Sequence, residues 1–110
     1  FGMLTGKYDN GQNPDDARLT LFGDMFTRYT KPKGRKVASK LNILALDNDL
    51  TPTQMALSYV NSRPFITSNI IGATKMDQLK ENIESVEIEL NEEIIEEIEN
   101  IHTQDPYPCP

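Results

Sequence analysis

Only one stretch of this chain reads as a β-strand. "FITSNIIG", residues 65–72, collects apolar and β-branched residues between Pro64 and Gly72, the pattern of a strand buried on both faces. Such a strand cannot stand alone: its main-chain groups need parallel neighbours and its faces need helical cover. The rest of the chain reads as helix or loop, in the order helix, helix, strand, helix, helix. The expected class is therefore α/β, mostly helical within these 110 residues, with the remaining strands elsewhere.

The helices announce themselves by spacing and punctuation. Phe22, Met25, Phe26 and Tyr29 recur at helical intervals and predict a short helix over residues 21–29, stopped by "TKPKG". Val37, Leu41, Leu44 and Ala45 mark the apolar side of a second helix over residues 34–46. "TPTQ" supplies the next start, with Thr51 as N-cap, Pro52 in the first helical position and Gln54 reaching back. Arg63-Pro64 ends that helix. After the strand, Thr74 is expected to cap a helix carrying Leu79, Ile83 and Val86 inward, and Asn91 to cap "EEIIEEIENI". His102 reads as a cation at the last helix's C-terminus. The Gly-, Asn- and Pro-rich opening "FGMLTGKYDNGQNPDD" reads as loop, mobile unless something binds it.

Charge is unevenly distributed. Residues 1–40 carry a net +4 and residues 41–110 a net −10, within an overall charge of −6. This balance argues against nucleic acid as a partner, because nucleic acid calls for a basic stripe. A locally basic first third suits a small polyanion instead. No stretch approaches the ~18 consecutive apolar residues of a membrane span, so the expectation is a soluble, cytoplasmic chain without a membrane partner. Cys109 is the single cysteine and lacks companions for a disulfide or a zinc site. No metal is expected.

"NIIGATKMDQLKENI", residues 69–83, holds the densest chemistry. A strand entering a helix through Gly72, Ala73 and Thr74 sets a helix N-terminus, with its free N–H groups, at a strand's carboxyl end, where anions bind. Gln78, Glu81 and Asn82 follow at i, i+3 and i+4 and share one helix face. They offer donors and acceptors to a ribose or a base.

"FGMLTGKY", "ALSYVNSRPF" and "IIGATKMDQLKENI" resemble the C-terminal third of aldo-keto reductases, and the whole chain down to "YPCP" is especially similar to the Tas-type bacterial members. The resemblance implies an eight-stranded TIM (β/α) barrel with its active site at the carboxyl ends of the strands. Residues 1–110 would be its C-terminal part, from the end of strand seven through strand eight and the terminal helices, and not a complete domain. It implies NADP(H) as cofactor and a small carbonyl compound as substrate of the full-length protein. By position, Leu4 would line the pyrophosphate, Lys7 and Arg18 would reach the 2′-phosphate, Gly72 and Thr74 would approach phosphate, Gln78 the adenosine, and Glu81 and Asn82 the adenine edge. Many relatives place Lys and Arg where Gly72 and Gln78 stand, so NADPH preference here leans on Lys7 and Arg18. The family's catalytic Tyr, Lys, Asp and His lie upstream of Phe1, which implies no catalytic residue in this stretch and an inactive piece on its own.

Two rival readings follow. One is a redox-silent nucleotide-binding protein resembling potassium-channel β subunits; a complete upstream Tyr, Lys, Asp and His set would favour the enzyme over it. The other is self-association of a helical fragment, because an exposed strand edge invites pairing between chains.

Overall fold

A computed structural model describes residues 1–110. It contains six α-helices: α1 (Arg18–Phe22), α2 (Thr27–Thr30), α3 (Pro32–Asp47), α4 (Pro52–Asn61), α5 (Met76–Glu84) and α6 (Glu92–Gln104). Short 3₁₀ turns lie at Met3–Thr5, Asp9–Gly11, Gly23–Met25 and Ser85–Glu87. Helix α3 is the spine. Helices α4 and α6 pack on it, α5 packs on α4, and the opening loop lies across α3 and α4.

Two small cores hold this arrangement. Ala45, Met55, Ile94 and Ile98 meet where α3, α4 and α6 converge, with Leu41, Leu44 and Tyr59 packed around them. The other gathers Tyr8, Ala17 and Leu19, with Met3, Phe26 and Tyr29 against them. A side-chain cluster also ties α4 to α6. The Tyr59 hydroxyl donates a short hydrogen bond to Glu99, and Arg63 lies 3.7 Å from the same carboxylate and 4.5 Å above the Tyr59 ring. The bond to Glu99, and after it burial, raises the Tyr59 pKa above its ordinary value.

Locally signalled features sit where the sequence puts them. Thr51 Oγ1 accepts from Gln54 N–H at 3.1 Å, and Gln54 Oε1 accepts from Thr51 N–H at 2.9 Å, a complete capping box with Pro52 in the first turn. Asn91 Oδ1 accepts from Ile94 N–H at 2.9 Å and caps α6, while His102 falls in that helix's last turn. Substituting Asn91 with alanine leaves that amide without its acceptor. It is expected to cost about 1 kcal/mol, read as a lower urea midpoint with an unchanged slope.

Four expectations need correction. Residues 65–72 are not a strand; the chain contains none. Between residues 67 and 73 no main-chain amide donates to another main-chain carbonyl, because no neighbouring strand is present to complete a ladder. The apolar residues of this segment face water, with Phe65 77 % and Ile70 95 % exposed. The helix expected over residues 21–29 is broken into α1, a 3₁₀ turn and α2, since Phe26 adopts the non-helical angles φ −123°, ψ 43°. Tyr29 stacks on Phe1 and Phe26 packs against it at a tilt, with ring centroids 4.6 and 4.5 Å away, whereas Phe22 and Met25 are exposed. Third, Thr74 does not cap α5. The N-cap is Lys75, which contributes no side-chain hydrogen bond. Fourth, Ile83 and Val86 do not lie inward: they are 57 % and 65 % exposed, since nothing in the chain packs against that side of α5 and the turn after it.

Candidate functional site

The opening loop turns on glycines. Gly2 and Gly6 have φ of +81° and +78°, a left-handed region that costs other residues strain. At Gly2 there is a second constraint: a Cβ would lie 2.9 Å from Lys7 Cε. The Lys7 side chain therefore folds back over the start of the chain. Arg18, the first residue of α1, places its guanidinium 5.2 Å above the Phe1 ring, a cation–π contact.

Both cations face the same corner. Lys7 packs against Gly2 and Arg18 lies over Phe1, two adjacent residues. Neither cation forms an ion pair with a carboxylate of the chain. Beside this corner runs a cleft of ≈ 350 Å³, with Phe1 and Leu4 on one side and Ile70, Gly72 and Asn82 on another. A second hollow, which shares Phe1 with the first, is lined by Arg18 and Phe26. The structure thus brings Leu4, Gly72 and Asn82 together in one cleft, while Arg18 lines the neighbouring hollow and Lys7 packs beside Gly2, neither of them in the wall of that cleft.

The remaining residues of the helix face have partners within the chain. Gln78 Oε1 accepts from Thr74 N–H at 2.9 Å and from Thr74 Oγ1 at 3.3 Å. Asn82 Nδ2 donates to the Gly72 carbonyl at 3.3 Å. One helical turn apart, these two amides reach back and hold the turn that precedes α5, a local role the spacing alone did not reveal. Glu81 diverges from them and accepts from Thr51 Oγ1 at 2.5 Å. Lys75 and Asp16, 3.3 Å apart, bridge this turn to the opening loop, although an exposed pair of this kind adds little stability.

Residues 1–103 match the model of the aldo/keto reductase family. The chain belongs to the aldo/keto reductase family. Over all 110 residues it is 48 % identical to "Protein tas" of Escherichia coli (strain K12), of which it covers 32 %. It is 33 % identical over 106 residues to a "Putative voltage-gated potassium channel subunit beta" of Schizosaccharomyces pombe, using 91 % of this chain and 30 % of that protein. Over 91 residues it is 38 % identical to the "L-glyceraldehyde 3-phosphate reductase" of Escherichia coli (strain K12), using 77 % of this chain and 25 % of that protein. The chain spans about a third or less of these curated relatives' length.

Within this aldo/keto reductase chain, sequence reasoning missed two residues that shape the cleft's surroundings. Tyr8 is buried, and its hydroxyl accepts from Leu19 N–H at 3.1 Å and donates to the Phe1 carbonyl at 3.3 Å. Asn42, 2 % exposed, donates to Asp9 Oδ2 at 2.8 Å. A signal for Asn42 was present: it lies four residues after Ala38 and three before Ala45, on the face that α3 buries. No helix of the chain is long and apolar enough to cross a membrane.

Proposed function

We propose that this chain is the cofactor-holding C-terminal part of a cytoplasmic NADPH-dependent oxidoreductase that reduces aldehydes or ketones to alcohols. In the full-length protein, residues 65–72 would complete an eight-stranded barrel by pairing the main-chain groups that stand open here. The same open segment is what a second copy would pair with, so self-association is the competing fate of the isolated chain.

One observation carries the cofactor reading: two cations without carboxylate partners lie against residues at the start of the chain that border an apolar cleft, Arg18 over the Phe1 ring and Lys7 beside Gly2, and the wall of that cleft includes the turn into α5. A dinucleotide phosphate fits that chemistry. Arg18 offers a planar fork of donors and Lys7 a compact charge, the two recognised ways to hold a phosphate. Leu4 would lie along the pyrophosphate, Gly72 and Thr74 near phosphate, Gln78 beside the adenosine, and Glu81 and Asn82 at the adenine edge. Glu81 and Gln78 would bring oxygens whose present partners are Thr51 and Thr74. When bound, the reduced nicotinamide supplies the hydride; the residues here would bind and orient it, while the proton donor and its partners belong to the part of the protein upstream of Phe1.

Similarity to a relative named for glyceraldehyde 3-phosphate reduction supports a carbonyl substrate. Similarity to proteins named as potassium channel β subunits supports a second reading, in which the nucleotide is held for its regulatory effect. The upstream sequence separates the two through the presence or absence of the Tyr, Lys, Asp and His set. Calorimetric titration of the full-length protein and of this chain tests the cofactor assignment. Saturable binding of NADPH in preference to NADH by the full-length protein is expected, and equal affinity for the two would rule out the phosphate role of Lys7 and Arg18. Binding by the chain alone would show that the clamp works without the rest of the barrel.

A further inference from the structure

We propose that Tyr8 and Asn42 are positioning residues that set the spacing of Lys7 and Arg18 and fix both cations to α3; this rests on the cofactor reading above. The connection is visible in the sequence positions of the anchors. Tyr8 directly follows Lys7, and Leu19 directly follows Arg18. The hydrogen bond from Leu19 N–H to the Tyr8 hydroxyl, 3.1 Å long and buried, therefore ties the neighbour of one cation to the neighbour of the other. The same hydroxyl donates to the carbonyl of Phe1, whose ring lies under the Arg18 guanidinium. One phenol thus joins three points that border the cationic corner.

Asn42 supplies the link to the helical body. Its amide is 2 % exposed and meets Asp9, the residue after Tyr8, at 2.8 Å across 33 residues of sequence. The loop has few means of holding its own shape. Gly2, Gly6, Asn10 and Gly11 all have positive φ, and its internal main-chain bonds are isolated turns, such as Thr5 to Gly2, Asp9 to Gly6 and Gln12 to Asp9. Fixation from outside comes from the apolar packing of Tyr8, Leu19 and Met3 and, for direction and spacing, from a few tertiary bonds. The two at Tyr8 and Asp9 are the most buried, whereas the Arg35–Asn13 and Lys75–Asp16 contacts lie in solvent. A charge-assisted amide-to-carboxylate bond in a half-buried setting is stronger than a neutral one.

The test uses the full-length protein, with two readouts. Tyr8→Phe keeps the buried ring and removes the bridge, and Asn42→Val keeps the volume and removes the donor. In both variants the preference for NADPH over NADH is expected to fall about tenfold, the scale of one displaced charge-assisted contact, with NADH affinity unchanged. Hydrogen exchange without ligand is expected to speed up at the Leu19 amide in Tyr8→Phe, and at Asp9 and Gln12 in Asn42→Val. The double variant Asp9→Leu/Asn42→Val replaces the polar pair by an apolar contact, a change that is often near neutral, and is expected to recover both readouts.

Variants with lower thermal stability but an unchanged NADPH-to-NADH ratio would assign these residues a purely structural role and overturn the proposal. If wild-type protein shows no NADPH preference, the cofactor reading fails, and the proposal about cation spacing falls with it. The exchange measurements then judge the anchor by itself, and unchanged protection would remove that as well.

Discussion

Truncation of Met55 to alanine is expected to lower the stability of this chain by about 2–5 kcal/mol, the range for deleting a long buried side chain when the surroundings close only partly around the space. Met55 is 3 % exposed and sits in a cluster of only four buried residues, between Ala45 of α3 and Ile94 and Ile98 of α6. Ala45 is fully buried and too small to fill the gap, and the two isoleucines are held by the cap and register of α6. Total stability for a domain of this size is about 5–15 kcal/mol, so one truncation would remove a large share of it. Each kcal/mol corresponds to roughly 4–8 °C in melting temperature, so a fall of at least about 8 °C is expected in a thermal melt. Met76, 75 % exposed on α5, is the control: its alanine variant is expected to stay within about 0.5 kcal/mol of wild type. A Met55 variant as stable as the Met76 variant would mean that α3, α4 and α6 do not converge as described.

The contrast between Ala45 and residues 65–72 shows what the sequence makes legible. Signals whose partners lie within one helical turn were readable: the Thr51 to Gln54 box, the Asn91 cap and the placement of Ala45 on an inward face all match the structure. The strand was not. Its propensity is real, but a strand is completed by ladder partners, and residues 1–110 contain no other strand. Ile70 and Ile71 read as core and stand exposed for the same reason. Thr74 was misassigned as a cap through a one-residue ambiguity, because Gln78 reaches back to the Thr74 amide while Lys75 takes the N-cap geometry. Among the candidate site residues, grouping by helix face joined Gln78, Glu81 and Asn82, yet the structure separates Glu81 toward Thr51. The placement of Lys7 beside Gly2 and of Arg18 over Phe1 was not legible from spacing. It depends on a loop that folds back at two glycines and on a phenol that bonds to an amide eleven residues along the chain.

Lys7→Ala and Arg18→Ala are each expected to weaken NADPH binding by the full-length protein by about 10- to 150-fold, the equivalent of roughly 1.5–3 kcal/mol for a hydrogen bond to a charged group, while leaving NADH binding nearly unchanged. The effect should be confined to the phosphate because neither side chain has a carboxylate partner in the chain whose loss would propagate. The two substitutions differ in their side effects. Lys7 crosses Gly2 with its stem, so its removal should cost little stability. Arg18 also covers the Phe1 ring at 5.2 Å, and its loss is expected to cost about 0.5–1 kcal/mol of stability. Arg18→Lys keeps the charge and removes the planar fork, so an intermediate affinity is expected if the arginine grips phosphate through paired donors, and wild-type affinity if only charge matters. Both cations would act on one phosphate, so the double alanine variant should lose less than the sum of the single losses. Raising ionic strength should weaken NADPH binding by wild type more than by the double variant, since screening acts on charges the variant no longer has. NADPH affinity retained in both single variants would remove the 2′-phosphate assignment and leave the cleft at Leu4, Gly72 and Asn82 without its proposed anchor.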